Sequence, residues 1–136
     1  MSKEQKHESV NDIQQLYFEL FRRVRYNFLN GEDVVRDLKE WRDLWYSVIA
    51  IRLPFPSTSK DRLPISLSLL RTTRWDSWPA DTLLIWTNEA NLEHLRRLIE
   101  ERWEASEVSV YMPEDEEMIY ANLDDEHDRV LFVWWD

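Results

Sequence analysis

The sequence predicts an α+β fold, an N-terminal two-helix hairpin followed by a mixed, mostly antiparallel sheet of about five strands with one crossover helix, in the order α-α-β-β-α-β-β-β. Three observations lead to it. Apolar residues recur at helical spacing over residues 13–28 and again over 34–49. From residue 63 onward the pattern changes to strand-like alternation, interrupted by one further helical stretch. Leu131, Phe132, Val133, Trp134 and Trp135 are apolar on both faces, which puts that strand in the middle of the sheet with both sides at least partly covered.

The first eight residues read as a flexible tail. Ser9 with Asp12 three positions on resembles a helix start, and Ile13, Leu16, Tyr17, Leu20, Phe21, Val24 and Phe28 form a broad apolar face. Phe18, Arg22, Arg25, Tyr26 and Leu29 fall together on the other side, at about 100° per residue. Two readings stand for that second face. It packs against a neighbouring segment of the same chain, as large aromatics usually do, or it meets a partner, since Arg and aromatic residues are enriched among interface hot spots. Asn30-Gly31 ends the helix with glycine in a left-handed cap, and Glu32 and Asp33 open the next helix at its positive end. Val34, Leu38, Trp41, Trp45 and Ile49 form its core stripe, and Arg42 on the flank of that stripe calls for a structural ion pair.

Pro54 and Pro56 stop the second helix, because proline lacks an amide donor and pushes the preceding residue out of helical geometry. The organisation expected is one domain over 1–136, divided into a tail (1–8), a helical hairpin (9–53), a connector (54–62) and a mixed sheet plus helix (63–136). Leu63, Ile65, Leu67 and Leu69 alternate as a strand. Residues 71–79 form a loop carrying Arg71, Arg74, Trp75 and Trp78, which reads as a lid over a core edge, a protein contact or a stacking platform for single-stranded bases. Residues 83–86 form a strand, and Asn88 caps a helix to about residue 104 with Leu92, Leu95, Leu98, Ile99 and Trp103 inward and His94 solvated. With the strand at Val108 this makes a βαβ unit, its two strands parallel. Met118 and Tyr120 alternate with Glu117 and Ile119 as the middle strand of a closing meander.

Two acidic segments separate these last runs: Glu114, Asp115, Glu116 and Glu117, then Asp124, Asp125, Glu126, His127 and Asp128. In an up-down-up meander they lie at opposite ends of the middle strand, roughly 15 Å or more apart at about 3.3 Å per residue. The net charge of −10 is polarised: residues 1–60 carry ten Lys/Arg against nine Asp/Glu, and residues 61–136 carry seven against eighteen. An acidic half argues against duplex DNA, whose binding requires cations that displace counterions, and for a basic partner or for solubility alone. Acids around His127 favour its protonated form.

Several chemistries are excluded or unsupported. Gly31 is the only glycine, which removes phosphate-cradling loops, and the absence of cysteine removes disulfides and thiolate chemistry. The polar N-terminus lacks an apolar leader and no run of about 18 apolar residues exists, so a cytoplasmic protein with no membrane association is expected. The second acidic segment lacks the spacing and central glycine of a calcium loop. No cofactor, metal or catalytic residue is expected.

The function expected is that of a non-enzymatic acidic binding protein, monomer or homodimer, that blocks or adapts a basic macromolecular partner such as a nucleic-acid enzyme or a toxin. Its candidate contacts are Glu114, Asp115, Glu116, Glu117, Asp124, Asp125, Glu126 and Asp128 in the acidic segments, and Phe18, Arg22, Arg25, Arg74, Trp75 and Trp78 on the aromatic and arginine surfaces. Anti-restriction or anti-CRISPR nucleic-acid mimics and immunity proteins share this composition in general terms. The alternatives are a small metal-dependent hydrolase or nuclease using Asp76, Asp81 and Glu89 with His94, or a structural subunit of a larger assembly.

Overall fold

A computed structural model describes residues 10–26, 29–51, 70, 73–121, 123 and 125–136, and these form an α+β fold built on a four-stranded antiparallel sheet. Asn11 begins the first helix, α1 (Asp12–Phe21), its side chain accepting from the Gln14 amide at 2.8 Å and so satisfying one of the helix's orphan donors. The helix ends seven residues before Phe28, and the chain reverses through a minimal antiparallel pair, β1 (Arg25–Tyr26) with β2 (Leu29–Asn30). Asn30 then caps α2 (Gly31–Glu40), accepting from the amides of Glu32 and Asp33.

Gly31 does not take the left-handed cap expected of it. No described glycine has positive φ, and Gly31 is the first residue of α2, donating its amide to the Val24 carbonyl at 3.0 Å. What glycine supplies is space: a Cβ there would lie 1.9 Å from the Phe21 carbonyl oxygen. The end of α1 and the start of α2 touch backbone to backbone.

The second helix is also shorter than its apolar spacing suggests. It stops at Glu40, a 3₁₀ turn (Arg42–Leu44) follows, and β3 (Ser47–Ile51) joins the sheet. Val48 and Ala50 are buried and Ser47 and Ile49 exposed, so period two prevails where the spacing of Trp45 and Ile49 imitated a helix. The described part of 9–53 is therefore a helical hairpin followed by an edge strand of the sheet. Arg42 finds no ion pair among the described residues; its guanidinium stacks 4.3 Å from the Trp45 ring and donates to the Trp45 carbonyl.

The remaining elements are β4 (Thr82–Asn88), α3 (Glu89–Arg102), β5 (Glu107–Tyr111), α4 (Glu116–Ala121) and β6 (Asp128–Trp134). The strand order is β3-β4-β6-β5, antiparallel throughout. β4 and β5 run in the same direction, as a crossover requires, but β6 lies between them, so the mixed sheet becomes purely antiparallel among the described residues. The expected strand at Met118 and Tyr120 is instead α4. The expected strand at residues 63–69 lies outside the described residues, and the central position of the last strand is as read from its two apolar faces.

The core lies on one face of the sheet. Val48, Ile85, Leu131 and Val110 share one cross-strand row and Ala50, Leu83, Val133 and Val108 another, packed against Leu38 of α2 and Leu95 and Ile99 of α3. Tryptophan knits the helices to it: Trp41 and Trp103 lie 5.4 Å apart, Trp103 and Trp135 5.9 Å. Asp37, buried on α2, accepts from Trp103 Nε1 at 2.8 Å and from Arg102 at 3.1 Å, which ties α2 to the end of α3. No described helix is long and apolar enough to cross a membrane.

Gly31→Ala tests the helix junction. Alanine is ordinarily the better helix former, yet here its methyl meets backbone oxygen that no rotamer can move, so the substitution should destabilise by about 3 kcal/mol. Chemical denaturation measures it, and an unchanged or raised midpoint would contradict the close approach.

Candidate functional site

The second face of the sheet carries the other half of every strand. Ser47, Trp86, Val130 and Tyr111 form one row across the four strands, and Ile49, Leu84, Phe132 and Ser109 the next. The first row, with Ile49 and Leu84 of the second, floors an apolar groove of about 610 Å³. One wall is the start of α1, with Ile13, Gln14 and Tyr17; the other is α4 and the residue beyond it, with Met118, Ala121 and Leu123. Among the described residues none that lines the groove is charged.

The α1 wall is held by hydrogen bonds to an edge strand. Among the described strands β3 pairs with β4 alone, and the Val48 and Ala50 peptides face away from it. Gln14 answers the first with both halves of its amide, Nε2 donating to the Val48 carbonyl at 3.0 Å and Oε1 accepting from the Val48 amide at 2.9 Å. The Tyr17 hydroxyl does the same for Ala50, donating to its carbonyl and accepting from its amide. Burial raises the Tyr17 pKa above its ordinary value, so the hydroxyl keeps the proton it donates.

This docking rotates α1 so that only part of its expected apolar stripe faces inward. Phe18 is 1% exposed and meets Trp45 edge-on at 5.8 Å, while Ile13, Leu16 and Leu20 are 75%, 63% and 41% exposed. Phe18 is thus core and withdrawn as a partner contact; of the stripe taken for core, Phe21 and Val24 are buried as expected, and Ile13, Leu16 and Leu20 are exposed. Arg22 and Arg25 stay on the surface, paired with Glu19 at 3.0 Å and Glu32 at 3.5 Å. In the loop, Arg74 and Trp75 are exposed, whereas Trp78 is half-buried and edge-on to Tyr17 at 6.5 Å, the arrangement expected of a lid.

The α4 wall brings the acidic segments together. Because 116–121 is a helix and not a middle strand, both segments belong to the single connection between β5 and β6 and lie at the same end of the sheet, against the separation expected. Glu114 and Glu116 are exposed. Asp115 is half-buried and structural, its carboxylate accepting from the Met112 amide at 2.7 Å at the start of α4. Asp125 accepts from the His127 amide, and Glu126 is exposed. The Glu117 side chain and Asp124 lie outside the described residues. Asp128 is not a surface acid: it is 5% exposed and accepts from Trp86 Nε1 at 3.0 Å and from the Asp125 amide, so it fastens the connection to the sheet and leaves the contact set.

Beside this connection lies a cluster that local sequence did not reveal. His127 Nδ1 and Glu89 Oε2 are 2.9 Å apart, and Arg129 approaches the other oxygen of Glu89 at 3.7 Å. The bond to Glu89 raises the His127 pKa, with Asp125 and Glu126 adding to it, and the same bond lowers that of Glu89. The acidic neighbours signalled the direction; the main partner, 38 positions away, only the fold supplies.

The trio Asp76, Asp81 and Glu89 does not converge. Asp76 pairs with Arg23 at 3.2 Å, and Asp81 and Glu89 flank opposite ends of β4, roughly 25 Å apart along the strand at about 3.3 Å per residue. His94 is exposed on α3. Among the described residues no group of three or more His, Asp or Glu is placed to hold a metal ion.

No protein family, curated protein or solved structure matches this chain. The site is therefore read from its own chemistry, an apolar groove bounded on one side by an acidic connection.

The Glu89–His127 contact makes a pH prediction. The raised His127 value means that its contribution to stability is whole below the ordinary imidazole value of about 6.5 and fades as pH rises through the folded value. The lowered Glu89 value means that its contribution is lost as pH falls through that value. NMR titration should place His127 above its ordinary midpoint, and Glu89→Gln should bring it back down. An unshifted midpoint in the unmodified protein would end the account.

Proposed function

We propose that this chain is a non-enzymatic acidic binding protein that blocks or adapts a basic macromolecular partner, of the inhibitor type represented by nucleic-acid mimics and immunity proteins. The observation that carries the proposal is the distribution of uncompensated charge. Residues 103–128 hold ten Asp/Glu and no Lys or Arg. Elsewhere the arginines answer carboxylates at Glu19, Glu32, Asp33, Asp37, Asp76 and Glu100. No such pair is made by Glu114, Asp115 or Glu116 among the described residues, and Glu126 meets only His127. Carboxylates spaced on a folded support act as phosphates do toward a basic groove: they speed encounter and lose strength in salt.

Residues with structural work are set apart from those available to a partner. Asp115 and Asp128 hold the connection, so the contact acids are Glu114, Glu116 and Glu126, with Asp125 beside them. The triple variant Glu114→Lys, Glu116→Lys, Glu126→Lys should leave the unfolding midpoint nearly unchanged and weaken a partner captured from lysate at low ionic strength by tenfold or more, about 1.4 kcal/mol. Capture should fall as salt is raised from about 50 to 300 mM. A partner indifferent to both changes would refute the charge-driven reading.

One observation favours a second reading, a subunit of a larger assembly. Ile13, Leu16 and Leu20 on α1 and Ile119 on α4 are large, apolar and exposed, and such surfaces commonly mark contacts. Sedimentation separates the two readings, because an obligate subunit would self-associate or arrive with stoichiometric companions.

A further inference from the structure

The groove and the acidic connection are one construction. Met118, Ala121 and Leu123 line the groove, and the acids Glu114, Glu116, Asp125 and Glu126 lie on the same length of chain. Asp12 sits between Asn11 and Ile13 on the opposite wall. The result is an apolar floor with several acids on the α4 side and Asp12 on the α1 side. We propose that this groove seats a basic amphipathic helix of the partner, its apolar side chains inserted between α1 and α4 and its Lys and Arg residues meeting the acidic margins. This inference rests on the binding reading above and names the segment that the site accepts.

The choice of a helix follows from the edge strand. A peptide adding to β3 as a further strand would need the outward peptides of Val48 and Ala50, and Gln14 and Tyr17 already occupy them. Main-chain pairing is closed on the β3 side, where α1 forms the wall, and docking there runs through side chains, the mode in which an amphipathic helix lays its i, i+3, i+4 and i+7 residues into a groove. Basic character follows from the margins. Arg129, next in the chain to the floor residue Val130, belongs to the alternate set of β6 residues and is buried, donating to the carbonyls of Glu126 and Asp128.

Other occupants fit less well. A second copy of this chain would bring acidic margins against acidic margins across a two-fold axis. An anionic membrane surface meets the same repulsion. Enclosed small-molecule sites bury most of their ligand, whereas here Ile13 and Ile49 stand largely exposed along the wall and floor.

The probe is a synthetic peptide of about 18 residues with Leu at helical i, i+3, i+4 and i+7 positions and Lys elsewhere. It is compared with a peptide of the same composition whose Leu order is scrambled, and with one carrying Glu for Lys. Fluorescence anisotropy with the full chain should give binding of the first alone, at least tenfold tighter than of either control. Ile49→Asp should weaken it tenfold or more, and Ile13→Asp, on the highly exposed helix wall, should do the same if the strand variant is poorly folded.

Equal binding of the scrambled peptide would overturn the groove while leaving the charge-driven function intact. Equal binding of the Glu peptide would overturn both. Failure of the Lys–Leu peptide to bind overturns the inference. So does a neutral dye such as Nile red held in the groove and not displaced by the peptide, or a dimer that Ile49→Asp dissolves.

Discussion

Strand register is the constraint on which the rest of this molecule depends. In a sheet, successive side chains alternate between faces, so a slip of one residue would exchange every inward group for an outward one. The pairing of β4 with β6 over seven rungs, Thr82 with Trp134 through Asn88 with Asp128, sets Leu83, Ile85, Leu131 and Val133 on the buried face. The same alternation sends Leu84, Trp86, Val130 and Phe132 to the other. The helices α2 and α3 follow the first set, and the groove follows the second. Trp86 and Asp128 bond on the outer rows, close to where β6 begins, and help hold the long connection to the sheet.

The edge strand imposes the next requirement. A strand paired on one side alone exposes peptide groups that need partners and invite unwanted pairing. Gln14 and Tyr17 meet that need with side chains that each donate and accept, which dictates how α1 lies. Once Gln14 faces β3, Phe18 and Phe21 are carried into the core and Ile13, Leu16 and Leu20 are carried out. Apolar spacing does not distinguish these arcs, since both are apolar; the polar obligation of the strand does. The same choice builds one wall of the groove.

Charge is partitioned as sharply as apolar surface. Arginines on α1, α2 and α3 lie beside carboxylates within their own or neighbouring helices. Such exposed pairs contribute little to stability, but they leave those surfaces locally balanced. Among the described residues no arginine pairs with a carboxylate of the connection between β5 and β6; Arg129 reaches it at the Glu126 carbonyl. Being tied down by Asp115 and Asp128, it presents its remaining acids from a folded support next to an apolar floor. The acidic expectation and the apolar stripe on α1 thus refer to neighbouring parts of one surface.

What could be read directly from the residues is what depends on composition and on neighbours in the chain. The α+β class, the cap at Asn88, the core face Leu95–Ile99, the central position of the last strand and the polarised charge all arise from short-range periodicity or simple counting. The direction of the His127 shift was legible for the same reason. Features that depend on contacts between distant segments were not. Helical spacing through Ile49 hid β3, because Ile49 falls four residues after Trp45 and so continues the stripe into the strand. Alternation at Met118 and Tyr120 imitated a strand where Asp115 starts a helix. Which face of α1 is inward, the burial of Asp128, the Glu89 partner of His127 and the meeting of both acidic segments at one end of the sheet are set by hydrogen bonds and register across tens of residues. Local pattern carries no record of those, because each is decided by which peptide or ring happens to arrive opposite once the sheet has closed.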